Sequence, residues 1–491
     1  MSERTIQFYF RGAIRQLEGA APTRTVLQYL REDAHATGTK EGCAEGDCGA
    51  CTVVLGEKVD GALQLRAVNA CLQFVPTLDG KALFTVEDLA TIGPSARTGL
   101  LHPVQQGLVD RHASQCGFCT PGFAMSLFAL YENNPQCPSR AAVCDALSGN
   151  LCRCTGYRPI LDAVPAAYAR KRVSLDRPAV LAALDEMAAL PTLDYAAAGQ
   201  RFIAPRSLAE LAAARLARPQ ARLLAGATDV GLWVTKQLRQ LDDLIYLGAV
   251  PELKVIRVDE EGLFIGAGVS LTDAFDALNA FEPAWTELAR RFASTPIRNA
   301  GTLGGNVANG SPIGDAMPGL IALGAQIVLH KGEQRRRLPL EDFYLAYQQT
   351  ALTPGEFVQA VLIPAPPAGQ LFRTWKVAKR TDQDISAVCG AFALTLTGDI
   401  VSQARIAFGG VAATPLRARA TERFLLGKPW CAATVEAAMD VLKNEYTPLS
   451  DLRASAAYRR QVTASLLRRL WLENSAASGM PVRLADVETL P

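Results

Sequence analysis

The chain has 491 residues, which is too long for one compact core and predicts about three domains. Hydrophobic residues make up 49% and charged residues 20%, as in an ordinary soluble globular protein. The formal net charge of +2 gives no reason to expect nucleic acid or an anionic membrane surface as a partner, and no run of about 18 apolar residues is present to span a membrane.

The first 85 residues predict a small mixed domain. Residues 1–10 alternate like a strand and contain no apolar signal core, so we expect a cytoplasmic protein. A short helix is predicted over 23–31, with Thr23 as a candidate N-cap. A cysteine-rich loop and a strand over 51–55 follow it. This order of elements is typical of a β-grasp, ferredoxin-like domain.

The cysteine-rich loop carries a metal-binding pattern. Cys43, Cys48 and Cys51 have the spacing C-x4-C-x2-C and are followed by the distant Cys71. This is the plant-type spacing for a 2Fe–2S cluster, and three interleaved glycines let the loop wrap closely around one. The alternative is a structural zinc site, which usually shows two C-x2-C or C-x2-H pairs. The spacing therefore favours iron–sulfur for this first cysteine set.

Residues 86–164 predict a helical domain, with one helix over 139–147, and contain a second cysteine set. Cys116 and Cys119 form C-x2-C, and Cys152 with Cys154 forms C-x-C. This spacing distinguishes iron–sulfur from zinc less sharply than the first. Ten of the twelve cysteines lie before residue 155, which favours metal ligation over disulfides in a chain without a signal peptide. The other four cysteines are expected to be buried small hydrophobes: Cys137, Cys144, Cys389 and Cys431.

The rest of the chain predicts a partly helical linker over 165–200, a domain of strands, helices and glycine turns over 201–368, and an α+β domain over 369–491. In this last domain we expect a strand pair around 392–396 and 404–408 and helical parts over 433–439 and 450–470. Two glycine-rich loops stand out, at 223–231 and 295–315. Neither reads G-x-G-x-x-G, so a Rossmann site is not supported. Such loops can direct backbone N–H groups at a pyrophosphate, or they can simply be tight turns in a β-rich domain.

The two cysteine motifs, EGCAEGDCGAC with Cys71 and QCGFCTPG with LCRCTGYRPI, resemble the iron–sulfur segment of the xanthine dehydrogenase family of molybdenum hydroxylases. The resemblance runs from about residue 5 to 480. It implies an α+β chain with a ferredoxin-like 2Fe–2S domain, a helical-bundle 2Fe–2S domain, a vanillyl-alcohol oxidase-like (PCMH-type) FAD domain and an α+β C-terminal flavin-reductase-like domain. It also implies that the eight cysteines of the two sets hold two 2Fe–2S clusters.

The same resemblance implies a set of FAD-binding residues. The first pyrophosphate loop comprises Leu223, Leu224, Ala225, Gly226, Ala227, Thr228, Asp229 and Val230. The second comprises Thr302, Leu303, Gly304, Gly305 and Asn306. An acid near the flavin is Asp315, an aromatic that packs on FAD is Phe292, and the segment closing the isoalloxazine side contributes Lys376, Asp384 and Ile385.

The resemblance includes no molybdenum domain, so we expect the iron–sulfur/FAD subunit of a split, bacterial-type enzyme, with no substrate-converting residue of its own. Its implied partner is a molybdopterin-binding large subunit, in a heterotetramer of two small and two large subunits. That partner would oxidise hypoxanthine and xanthine to urate, and electrons would pass through the clusters to FAD and then NAD. The helical-domain cluster would lie nearer molybdenum, with Gln115 contacting the pterin, and the ferredoxin-type cluster nearer FAD.

Two alternatives remain open at this point. The partner could oxidise aldehydes or other N-heterocycles, and electrons could pass to oxygen or another acceptor. In a different class, the chain could be a zinc-stabilised binding scaffold without redox activity.

Overall fold

The computed structural model describes residues 3–92 and 101–474. The chain divides into two compact units, the first made of Met1–Pro251 with Ala293–Gly301 and the second of Glu252–Phe292 with Thr302–Pro491. The predicted FAD domain therefore contributes residues to both units. In the part of the chain that the structure describes, no helix is long and apolar enough to cross a bilayer.

Strands and helices alternate along both units, as expected for an α+β chain. The strands are β1 Ile6–Phe10, β2 Ala13–Leu17, β3 Thr52–Val59, β4 Ala62–Asn69, β5 Ala82–Phe84, β6 Leu193–Ala197, β7 Gln200–Ala204, β8 Arg222–Leu224, β9 Leu244–Tyr246, β10 Ile256–Asp259, β11 Gly262–Gly266, β12 Gln326–Lys331, β13 Gln334–Pro339, β14 Tyr344–Ala346, β15 Gln349–Thr350, β16 Phe357–Ile363, β17 Leu371–Val377, β18 Val388–Thr397, β19 Ile400–Gly409 and β20 Leu416–Arg417. The helices are α1 Val26–Gln28, α2 Pro103–Asp110, α3 Thr120–Asn133, α4 Arg140–Ala146, α5 Arg158–Tyr168, α6 Arg177–Ala188, α7 Leu208–Ala217, α8 Val230–Thr235, α9 Leu271–Phe281, α10 Thr286–Arg291, α11 Thr295–Ala300, α12 Leu303–Asn309, α13 Ala316–Ala322, α14 Leu340–Phe343, α15 Arg419–Leu425, α16 Ala432–Lys443 and α17 Ala456–Asn474.

A five-stranded mixed sheet in the order β2-β1-β5-β3-β4 forms the first part of unit 1. Only β1 with β5 is a parallel pair in this sheet. Ile6, Phe8 and Phe10 are buried on one face of β1, which confirms the strand predicted from the alternating sequence. The sheet provides the frame on which the first cysteine set is mounted.

The short helix α1 begins one turn later than predicted. The side chain of Thr25 accepts a hydrogen bond from the Gln28 N–H at 3.2 Å, and the Gln28 side chain accepts one from the Thr25 N–H at 2.9 Å. These two bonds form a capping box. The prediction that Thr23 caps this helix was therefore wrong, because the reciprocal partner stands three residues after Thr25.

Helices α2 to α5 pack around an apolar core that includes Phe123, Leu127 and Ile160. The helix predicted over 139–147 is confirmed as α4, and the side chain of its N-cap Ser139 accepts a hydrogen bond from the Ala142 N–H at 3.3 Å. This helical part carries the second cysteine set.

The segment predicted as a linker, 165–200, contains packed structure. Helix α6 buries Val180, Leu184 and Met187 in a core shared with residues of β3, β4 and α3. Strand β6 then enters a four-stranded sheet in the order β6-β7-β9-β8. In that sheet β9 runs parallel to both β7 and β8, so the loop after β8 leaves the carboxyl end of a parallel strand. Ligand-binding loops are common at such ends.

Unit 2 contains a five-stranded antiparallel sheet, β10-β11-β16-β12-β13, and a four-stranded antiparallel sheet, β17-β18-β19-β20. The strand pair predicted around residues 392–396 and 404–408 is confirmed by β18 and β19, in which Phe392 is opposite Ile406. The helix predicted over 450–470 begins later, at Ala456. Helices α15 to α17 supply apolar residues to the core of this last part.

Candidate functional site

The register of two strands brings the first cysteine set together. Cys51 immediately precedes β3, Cys71 is two residues after the end of β4, and the antiparallel pair begins with Thr52 opposite Asn69. Cys51 and Cys71 are 2% and 1% exposed, so this half of the set lies in the core. Cys43 and Cys48, on the loop before β3, are partly exposed.

Backbone N–H groups converge on the sulfur of Cys43. The amides of Glu45, Asp47 and Cys48 donate to Cys43 Sγ at 3.5, 3.4 and 3.3 Å. Positive φ angles of 53° at Ala44 and 80° at Gly46 give the loop the curvature that this requires. The Cys48 thiol and these amides lower the pKa of Cys43 to about 5. A thiolate is the form of cysteine that binds metals.

The four thiols of the first set meet as two pairs. The Cys48 thiol donates to Cys43, which lowers the pKa of Cys43 and raises that of Cys48. The Cys71 thiol donates to Cys51, with the same opposite effects on the two pKa values. The negative charge of Cys43 disfavours ionisation of both Cys51 and Cys71, so the two pairs lie close enough to interact electrostatically.

The second set shows the same arrangement on the surface. Cys154 Sγ donates to Cys116 Sγ at 3.5 Å, and both residues are exposed. The pKa of Cys116 is lowered by the Phe118 amide and by Cys154. Burial and a hydrogen bond to Cys152 raise the pKa of Cys119 to about 12.

This two-plus-two arrangement suits a 2Fe–2S cluster, in which each iron takes two cysteines. A structural zinc site instead gathers four ligands around one ion. The donor sets therefore fit two 2Fe–2S clusters.

Two polar groups hold Cys152 in place. The Thr155 hydroxyl donates to Cys152 Sγ at 3.2 Å, and the Tyr157 hydroxyl accepts from the Cys152 N–H at 3.1 Å. Tyr157 has a φ of 67°, which is unusual for a bulky residue. Neither Thr155 nor Tyr157 was predicted as a site residue, although both belong to the quoted TGYRP motif. The sequence did offer one signal that these two residues belong to the site, because the motif begins directly after Cys154.

The two cysteine sets are joined by a short bonded path. The N–H of Leu151, which precedes Cys152, donates to the carbonyl of Cys48 at 3.0 Å. Beside it, the buried Asn150 donates to the Gly49 carbonyl at 3.2 Å and to the Thr52 hydroxyl at 3.1 Å. A ligand of one set is therefore connected to a ligand of the other by one peptide unit and one hydrogen bond.

Three large apolar side chains are exposed near the second set, together with the charged Arg153 and Arg158. Phe118, Leu151 and Tyr157 are exposed, with Phe118 at 47%. They lie within five residues of a cysteine of this set in sequence, and Gln115 is exposed next to Cys116. Large exposed apolar side chains grouped in this way indicate a contact surface.

The first predicted FAD loop leaves β8 and enters α8. A Cβ on Gly226 would lie 1.9 Å from the Ala300 carbonyl oxygen, so only glycine fits there. Gln73 Nε2 donates to the Gly226 carbonyl at 3.0 Å, and a Cβ on Gly231 would lie 2.9 Å from the carbonyl oxygen of Leu72. The loop therefore packs directly against the residues that follow Cys71.

The second predicted FAD loop lies in unit 2. The Thr302 hydroxyl accepts from the Gly305 N–H at 3.0 Å, and a Cβ on Gly304 would lie 2.4 Å from Ala267 Cα. Asn306 Oδ1 is buried and has no hydrogen-bond partner among the described residues. A buried acceptor without a partner is expected to bind a ligand or water. This loop therefore fits a polar ligand such as a dinucleotide.

Asp315 and Lys376 form a buried ion pair, with Lys376 Nζ 2.7 Å from Asp315 Oδ2. The Ser386 hydroxyl donates to Asp315 Oδ1 at 2.6 Å. Arg291 donates to the Lys376 carbonyl at 2.6 Å and to that of Thr381 at 3.2 Å. Ser386 and Arg291 were not predicted. Ser386 adjoins the predicted Ile385, whereas Arg291 is distant in sequence and gave no signal.

The remaining predicted flavin residues are placed less closely together. Asp384 accepts hydrogen bonds from the N–H groups of Lys379 at 2.8 Å and Arg380 at 3.0 Å, and therefore shapes its own loop. Ile385 is exposed. Phe292 is buried, and its ring centroid is 4.8 Å from that of Phe275.

Of the four cysteines outside the two sets, Cys389 is buried as predicted, and its thiol donates to the Asp315 carbonyl at 3.4 Å. The prediction was wrong for Cys137, Cys144 and Cys431, which are exposed. They lie in a loop, on the outer side of α4 and at the start of α16, where nothing covers them in the described structure.

Four protein-family models match the chain. A 2Fe–2S iron–sulfur cluster binding domain matches residues 9–75, and a [2Fe–2S] binding domain matches 85–165. A FAD binding domain in molybdopterin dehydrogenase matches 197–366, and a CO dehydrogenase flavoprotein C-terminal domain matches 373–474.

The curated relatives include the xanthine dehydrogenase of Emericella nidulans, 31% identical over 99% of this chain and 39% of that protein. The xanthine dehydrogenase of Drosophila subobscura is 34% identical over 93% of this chain and 38% of that protein. The chain thus spans about two fifths of the length of the curated relatives that it matches.

Solved structures with a similar fold include Cu,Mo-CO dehydrogenase in a cyanide-inactivated form, with a TM-score of 0.51 and 32% identity over 55% of this chain and 94% of that chain. Quinoline 2-oxidoreductase from Pseudomonas putida 86 has a TM-score of 0.51 and 28% identity, over 55% of this chain and 94% of that chain. Together with the paired cysteines and the four domain matches, these likenesses show that the chain belongs to the xanthine dehydrogenase family of molybdenum hydroxylases and is an iron–sulfur/FAD electron-transfer module of that family.

Proposed function

We propose that this chain is the iron–sulfur/FAD subunit of an NAD-dependent xanthine dehydrogenase, and that it passes electrons from a molybdopterin-binding partner to NAD. The observation that carries the proposal is the bonded path between the cysteine sets. The hydrogen bond from the Leu151 N–H to the Cys48 carbonyl connects the exposed second set to the partly buried first set. Electron transfer between two clusters requires a short path of this kind.

The eight cysteines of the two sets would each bind iron through sulfur. Iron–sulfur clusters supply one-electron carriers, and FAD exchanges one electron or two. The chain's own contribution is to fix the ligands and to direct N–H groups at them, as the three amides at Cys43 Sγ do.

The residues proposed for FAD are the first loop, Leu223–Val230, the second loop, Thr302–Asn306, and Asp315 with Lys376. The partnerless Asn306 Oδ1 and the buried Asp315–Lys376 pair support this assignment. Phe292, Asp384 and Ile385 rest on the family resemblance, since their contacts in the structure serve the protein itself.

The exposed second set supports a docking role for the helical part. Cys116 and Cys154 are open to solvent, and the large apolar side chains of Phe118, Leu151 and Tyr157 are exposed near this set. We propose that the molybdopterin-binding subunit covers this surface, with Gln115 near the pterin, in a heterotetramer of two small and two large subunits.

Xanthine is proposed as the substrate of the assembled enzyme because the curated relatives are named xanthine dehydrogenase. The structural neighbours favour a second candidate within the same family. Because they are CO dehydrogenase and quinoline 2-oxidoreductase, another small substrate with another electron acceptor is the alternative.

The test is reconstitution with a candidate molybdopterin-binding subunit from the same genome. The purified chain alone should reduce a dye with NADH but should not oxidise xanthine. The assembled enzyme should reduce NAD with xanthine. Turnover of quinoline or an aldehyde, with xanthine inert, would replace the substrate assignment. Xanthine oxidation by the chain alone would contradict the role of an electron-transfer subunit.

A further inference from the structure

Segments that belong to the flavin part of the sequence contact the loop of the first cysteine set. The first FAD loop packs on Leu72 through Gly231. On α11, Ile297 Cδ1 lies 3.1 Å from the position that a Cβ on Gly46 would take. All of these residues belong to unit 1. The cluster loop is therefore covered on one side by residues distant in sequence.

One of these distant residues carries a charge to the loop. Lys236 follows α8, and its Nζ donates to the carbonyl of Cys43 at 3.1 Å. The same Nζ lies 3.3 Å from Glu45 Oε2, and the two side chains are 45% and 42% exposed. The charged residues between Cys43 and Cys51 are both acidic, Glu45 and Asp47. Lys236 thus brings a positive charge to a stretch whose own charges are negative.

We propose that Lys236 is a positioning residue that fixes the Cys43 backbone and raises the reduction potential of the ferredoxin-type cluster. The inference rests on the proposed function, because it takes Cys43 as a cluster ligand. Reduction adds negative charge, and a nearby ammonium group stabilises the reduced form. Lys236 directly follows α8, the helix after the first FAD loop. This part of the chain therefore also influences the reduction potential of the neighbouring cluster.

The magnitude follows from the exposure of the pair. Solvent screens half-exposed charges, so the effect is well below that of a buried ion. We expect about a threefold change in the one-electron equilibrium constant, which is about 28 mV at 59 mV per tenfold. The effect should shrink as ionic strength rises.

The experiment is an EPR-monitored redox titration of both clusters in the full chain. Lys236→Gln should lower the midpoint potential of the ferredoxin-type cluster by this amount, and Lys236→Arg should restore most of it. Glu45→Gln should shift the potential upward, because it removes a negative charge while leaving Lys236 in place. The cluster of the second set should not move in any variant. Lys171→Gln, which alters an exposed lysine of the same unit, is the matched control.

An unchanged potential in Lys236→Gln would overturn the proposal, as would equal shifts of the two clusters. If Lys236→Gln loses the first cluster, the upward shift in Glu45→Gln decides the matter. Failure of the proposed function has a different signature, since the wild-type chain itself would then show no iron–sulfur signals.

Discussion

The two cysteine sets of this chain share one arrangement of ligands and differ in their surroundings. In the first, Cys51 and Cys71 lie in the core beside a β-sheet. In the second, Cys116 and Cys154 lie at the surface beside exposed apolar side chains. The same pairing of thiols therefore occurs in a set with two buried cysteines and in a set with none. We propose that exposure, rather than ligand type, separates a carrier within the chain from a carrier that meets a partner.

Replacing one ligand in each set is the strongest way to break this comparison. Cys51→Ser should abolish the ferredoxin-type cluster, and Cys154→Ser should abolish the other, with the remaining EPR signal retained in each case. Cys51→Ser should also lower the free energy of unfolding by about 1–3 kcal/mol, because a hydroxyl replaces a core thiol. Loss of both signals in either variant would mean that the sets do not act as separate sites.

A charge on the open surface tests the role of the second set. Phe118→Asp should weaken binding of the molybdopterin-containing subunit at least about a hundredfold, because an aromatic anchor is replaced by a carboxylate. Thermal stability should stay the same, since Phe118 is 47% exposed. Leu216→Asp alters an equally exposed residue on α7 and should leave binding intact. Equal binding of wild type and Phe118→Asp in a titration would rule out this surface.

The link between the sets depends on Asn150. Its buried amide donates to Gly49 and Thr52, and its carbonyl accepts from the Ser126 hydroxyl at 2.6 Å. Asn150→Ala removes these three bonds and leaves the buried Ser126 hydroxyl without this acceptor, while Gly49 and Thr52 still bond to each other. The free energy of unfolding should fall by about 2–3 kcal/mol. Asn444→Ala, which removes an exposed bond to Asp440, should change it by less than about 0.5 kcal/mol. Urea unfolding followed by circular dichroism gives both values, and equal effects would remove Asn150 from the link.

Iron removal should follow the difference in exposure. A water-soluble iron chelator should remove iron from the second set faster than from the first, by about tenfold or more, because two of the first set's four cysteines are buried and none of the second set's are. The decay of the two EPR signals over time measures this directly. A partner subunit bound at the second set should slow its loss. Faster loss from the first set would contradict the assignment of core and surface.

The sequence predicted which cysteines form each set, because cysteine spacing is read directly from the chain. It could not predict which thiols pair, since Cys51 meets Cys71 through the register of β3 with β4. The sequence also could not predict which of the other cysteines are exposed to solvent. Cys137, Cys144 and Cys431 carry no sequence sign that they face solvent, because covering a side chain depends on tertiary packing.

Local signals were informative where both partners are close in sequence. The helix predicted from Ser139 is confirmed as α4, whereas the N-cap of α1 is Thr25 and not the predicted Thr23. The partly helical linker predicted over 165–200 contains α6, and its alanines and prolines gave no sign that this helix packs into a core. Arg291 joins carbonyls more than eighty residues away, and no local pattern reports such a contact.

The most direct test of the central claim combines metal analysis with EPR on the purified, dithionite-reduced chain. Two 2Fe–2S clusters in differently exposed sites predict four irons per chain and two distinct EPR signals. Only the signal of the second set should change its line shape or relaxation when the molybdopterin-containing subunit binds. Stoichiometric zinc in place of iron, or a single signal that is indifferent to the partner, would contradict the account.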